Sequence, residues 1–139
     1  MIRLHPLITF AGFSILVVMI GATAFADNNN GNWRRGRIYY RLVCTSCHVE
    51  ASGKPISPSE FTIAEWKAYL DQDLHHPFGT DVVVPSVRYY LSRRYRESVK
   101  DTNRAAEKFL EIPEDVLFDD LRAFVIHGAK DSETPMRCK

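Results

Sequence analysis

The run Cys44-Thr45-Ser46-Cys47-His48 constrains this chain more than any other stretch of it. Two thiols about one helical turn apart, with an imidazole directly behind the second, match the attachment signature of c-type haem. Each residue has a chemical task in that reading. The thiols add across the two vinyl groups on one edge of the macrocycle, and the imidazole is held beneath the iron as an axial ligand. Cys44 and Cys47 are therefore expected to bind one covalent haem c, with His48 as the proximal iron ligand. Two other chemistries use paired cysteines. A structural zinc site needs a second ligand pair, and Cys138 alone, near the far end, does not supply one. A thioredoxin-like redox pair follows a strand inside a βαβ unit, whereas the residues around Cys44 read as helix.

The opening residues fit export. Met1 to Pro6 carry Arg3 and no acid, Leu7 to Ile20 is apolar, and Gly21 to Ala26 ends in Ala-Phe-Ala. A basic start, an apolar middle and a small-residue cleavage site make a signal peptide over residues 1–26 the expectation, and the periplasm the expected location. An uncleaved anchor is the alternative, because Leu7 to Ala26 is just long enough to span a bilayer. A membrane is an expected partner only in that case. With Arg3 removed, 17 basic residues stand against 17 acidic ones. That balance speaks against nucleic acid as a partner. Asp27 to Lys139 leaves room for one small domain with a limited core, and a buried porphyrin would supply apolar surface to pack around.

Residues 27–32 are polar and Asn/Gly-rich, a flexible lead-in. From Trp33 to Val43 the pattern is helical. Ser52 to Pro58 reads as a loop. Phe61 to Trp66 then gives a full helix start: Thr62 caps the amide of Glu65, Glu65 reaches back, and Phe61 staples onto Trp66. That helix is expected to run to about Asp73, with His75-His76-Pro77-Phe78-Gly79 breaking it. Val82 to Val84 is a short extended run. Helices are expected over Ser86 to Val99 and Thr102 to Glu111. A last one begins after Pro113, a first-turn proline, with Leu117, Leu121, Phe124 and Gly128 as its inward stripe. The haem domain is thus expected over residues 33–128, with a polar tail at 129–139 and no internal repeat.

Gly36-x3-Tyr40-x3-Cys44-x2-Cys47-His48 resembles the opening helix of class I c-type cytochromes, where a glycine and an aromatic precede the first cysteine at this spacing. Asp120 to Val125, with Leu121 and Phe124, is similar to that family's closing helix. The resemblance covers Trp33 to Val49 and roughly Glu114 to Gly128. It implies an all-α, class I cytochrome c-like domain in which the glycine lets the first and last helices cross closely and the two aromatics fill the crossing. It also implies a periplasmic single-electron carrier rather than an enzyme, with redox proteins as donor and acceptor.

The middle of the chain departs from the family. There the second axial ligand is usually a methionine in a loop before the last helix, but outside the leader this chain has only Met136, beyond that helix. Three candidates stand for the sixth position: Met136, whose thioether would raise the potential, and His75 or His76, which would give a lower-potential bis-histidine haem. A five-coordinate iron is the remaining possibility. It would make the chain a haem-based ligand-binding or sensing module; a haem subunit of a larger oxidoreductase is a separate alternative. A peroxidase would need a distal acid/base over open iron, and beyond His76 nothing in the sequence suggests one. His127 reads as an ordinary end-of-helix histidine, and Cys138 as part of a mobile tail. Tyr39, Tyr40, Tyr89, Tyr90 and Trp66 read as packing around porphyrin and core. The arginines at 34, 35, 37 and 41 and the acids at 111, 114, 115, 119 and 120 read as solvated helix faces, or else as a charge dipole steering an acidic redox partner.

Overall fold

A computed structural model of the chain describes residues 31–52, 56–73, 75 and 85–137. The leader, the run at Val82 to Val84, His76 and Cys138 lie outside the described residues. Among those described, every regular element is a helix, and none is long and apolar enough to cross a membrane.

Helix α1 spans Trp33–Tyr39. Asn32 starts it, its side chain accepting from the amides of Arg34 and Arg35 at 3.1 and 3.2 Å. The straight helix expected to Val43 is interrupted. Tyr40–Cys44 forms a π-helical turn before α2 resumes over Thr45–Ser52. The cause is local: the Thr45 amide and its hydroxyl both bond back to the Tyr40 carbonyl, the hydroxyl at 2.9 Å. One residue too many per turn changes the helical phase, and Tyr39, Tyr40 and Val43 are all buried while Cys44 is partly so.

Helix α3, Ile63–Asp71, begins with the expected capping box. Phe61 stands edge-on to Trp66 with ring centres 4.9 Å apart. The single helix expected over Ser86 to Val99 is two: α4, Val87–Leu91, and α5, Arg93–Val99. Ser92 is extended between them and its side chain caps the amide of Tyr95 at 3.1 Å. A serine that can satisfy an orphan amide offers the backbone an alternative to helix. The stretch Thr102 to Glu111 is helical only over α6, Arg104–Glu107, and continues as turns. Those turns supply the carbonyls of Phe109 and Ile112 to the guanidinium of Arg96, which is 1% exposed. A buried cation with such partners holds α5 against the turns in a non-helical path.

Helix α7, Glu114–His127, is the spine. Pro113 caps it rather than entering its first turn. Leu117, Leu121, Phe124 and Gly128 are buried as expected, joined by Phe118 and Val125. The first helix crosses the last so closely that a β-carbon on Gly36 would stand 2.0 Å from the Asp120 carbonyl oxygen. Tyr40 and Phe124 meet at the crossing, 5.2 Å between ring centres. The tail folds back: Met136 exchanges backbone bonds with Gly128 and Ser59, and its side chain lies against Gly128.

Candidate cofactor-binding site

Beside the crossing lies a cavity of about 590 Å³, counting its open mouth. The π-helical turn and α2 contribute Tyr40, Cys44 and His48; α3 and the segment before it contribute Ile56, Phe61, Trp66, Tyr69 and Leu70. The rest of the wall is His75, Val87, Tyr90 and Leu91, with Leu121 and Val125 of α7 behind. The polar tips of the large aromatics are already engaged. Trp66 donates its indole N–H to the Pro58 carbonyl at 2.7 Å, and the Tyr40 hydroxyl donates to that of Ile56 at 2.6 Å. Both rings therefore offer hydrocarbon to whatever fills the space, the arrangement of an apolar pocket with few polar groups.

Cys44 closes the π-helical turn, and Cys47 and His48 follow in the first turn of α2. Cys44 lines the cavity, while Cys47 is exposed at its edge beside Tyr95 and Tyr90. Burial pushes the Cys44 thiol up to about 12, with neighbouring Cys47 adding to the rise. A reactive dithiol has the opposite sign, its first thiol lowered. The pair also follows a helix, so both marks of a thioredoxin-like motif are missing from this segment. Among the described residues, no group of three or more His, Cys, Asp or Glu side chains could hold a bare metal ion.

In the same cavity the His48 and His75 rings meet edge-on, with ring centres 5.7 Å apart and planes at 62°. Burial lowers the pKa of both, and the neighbouring His48 lowers that of His75 further. Both shifts favour the neutral ring, the form in which an imidazole binds a metal. Nδ1 of His75 is buried and has no hydrogen-bond partner. Tyr90 flanks the same ring at 4.3 Å. A flat, largely apolar group with a metal at its centre fits these residues: one thiol in the wall and a second exposed three residues on, apolar walls, and two imidazoles 5.7 Å apart.

Of the residues singled out by sequence, the structure brings Cys44, His48 and His75 to one cavity, with Cys47 at its edge. Met136 is elsewhere, packed at the far end of α7. His127 ends α7 and stacks on Trp33 at 4.3 Å. Tyr69 and Leu70 were missed as wall residues, although they follow Trp66 at the three- and four-residue spacing of one helix face. Ile56, Val87 and Leu91 had no signal beyond being apolar. No family model, curated protein or solved structure matches the chain.

Proposed function

We propose that this chain is an exported single-electron carrier built around one covalent haem c. The observation that carries the reading is the meeting of Cys44, His48 and His75 in one apolar cavity, with Cys47 of the same pentapeptide at its edge. When bound, the haem supplies one-electron iron chemistry, and its potential follows from its ligands and burial. The chain's own residues do the rest. Cys44 in the cavity wall and exposed Cys47 would tether the group through their thiols. His48 would bind the iron from α2. Phe61, Trp66 and Leu70 line the cavity with apolar surface that would keep water from it.

The test is expression with a haem-attachment system, followed by mass measurement and haem staining under denaturing conditions. A mass gain of one haem that Cys44→Ala and Cys47→Ala each diminish, with reversible one-electron titration, is the expected result. A wild-type protein that emerges without covalent haem overturns the reading. An N-terminus beginning at Asp27 in the secreted fraction is the expected sign of export.

A further inference from the structure

We infer that His75 is the second axial ligand of the iron, so that the site is bis-histidine and closed to small ligands. This rests on the haem c reading above. Three independent observations support it.

The first is separation. Two in-line metal–nitrogen bonds of about 2.0 Å, with a ring centre about 1.1 Å behind each nitrogen, require roughly 6.2 Å between ring centres. The two ring centres stand 5.7 Å apart, about 0.5 Å short of that spacing. The second is placement. His75 lines the same cavity as His48 and Cys44, so its ring already stands in the space the group would fill.

The third is how His75 is held. Asp73, two residues earlier, adopts a left-handed backbone with φ 50°. Its carboxylate accepts the amide of Arg88 at 2.9 Å, tying the end of the α3 segment to the start of α4. An aspartate tolerates that conformation better than most residues, and the tie fixes the chain just where His75 leaves it. Tyr90 of α4 then backs the ring. The rival thioether has no such access: Met136 is bonded through its backbone to Gly128 at 2.9 Å and to Ser59 at 3.2 Å, away from the cavity. Nor is Tyr40 free to ligate, since its hydroxyl is spent on Ile56.

Two nitrogen ligands favour a lower potential than one nitrogen and one thioether. They also leave no position for carbon monoxide. The experiment uses the haem-loaded protein and its His75→Ala, His75→Met, His76→Ala and Met136→Ala variants, read by near-infrared magnetic circular dichroism, electron paramagnetic resonance and carbon monoxide difference spectra. Wild type is expected to be low-spin in both oxidation states, to show bis-histidine signatures without a methionine–iron charge-transfer band, and to ignore carbon monoxide. His75→Ala is expected to become high-spin and bind carbon monoxide. His75→Met is expected to gain the methionine band or a raised potential, while His76→Ala and Met136→Ala keep the wild-type spectrum. Haem that is covalently attached but shows a methionine band, or five-coordinate iron, in wild type overturns the assignment of His75 and leaves the haem reading standing. That result needs no variant to fold. Protein lacking covalent haem overturns both.

Discussion

At Gly36 the backbones of α1 and α7 approach until no side chain fits between them, a β-carbon there lying 2.0 Å from a backbone oxygen. Backbone cannot yield as a flexible side chain can, so Gly36→Ala has to push the helices apart. Forced overpacking of this kind costs about 1–3 kcal/mol, and chemical unfolding of the variant is expected to show a loss of at least that size. A matched change at exposed Arg37 should lose almost nothing. The sequence made this glycine legible, because a glycine inside a good helix needs a reason. It hid its neighbour. Asp120 reads as one of several solvated acids, yet it is 1% exposed, accepts the Asn32 amide at 2.7 Å and pairs with Arg35. Charge type alone does not say which of the four acids on α7 turns inward. Only the crossing of α1 over α7 decides it. Arg96 was illegible for the same reason: its partners are backbone carbonyls, which carry no residue code.

Among the elements, α3 was read best because its start is written in side chains. The Glu65 carboxylate accepts from the Thr62 amide at 2.7 Å and the Thr62 hydroxyl at 2.8 Å. Those bonds hold its pKa below the usual value of 4.5. The sign follows directly. A depressed carboxylate contributes stability above its unfolded pKa and loses it as pH falls through the folded one. Glu65→Gln is therefore expected to flatten part of the acid limb of the stability profile below about pH 4.5, measured by denaturant unfolding at stepped pH. Thr62→Ala is expected to remove about 1 kcal/mol of capping. The weaker readings concern α4 to α6. There the apolar spacing runs on through Ser92, and periodicity cannot see that a serine will cap the next helix rather than continue the last. The π-helical turn was invisible too. Its marks are the amide and hydroxyl of Thr45 bonded back to the Tyr40 carbonyl, and it carries Cys44, which lines the cavity.

Taken whole, the molecule is a helical shell one wall of which is an apolar hollow. The all-helical class was legible from periodicity, and the thiols and His48 from their spacing. That His75 lines the cavity and Met136 does not was not legible, since it depends on where a turn and a tail lie in space. A hollow lined by Trp66, Leu70, Leu91 and Val125 lacks packing partners on one side. Cys44→Ala/Cys47→Ala protein is therefore expected to keep much of its far-ultraviolet helix signal, lose its near-ultraviolet signal and bind a hydrophobic dye; haem-loaded wild type should do none of these except keep its helix. The hollow's outer wall has one more property. The Phe61 carbonyl accepts from the Lys130 amide at 2.8 Å, the Ile63 amide donates to Asp131 at 2.7 Å, and the Ser59 amide to the Met136 carbonyl at 3.2 Å. The segment carrying that wall is thus clasped by residues that follow α7 in the chain. A chain emerging amino end first presents Cys44 and Cys47 long before their covering can set, so the order of translation itself keeps the door open until both sulfurs have been within reach of solvent.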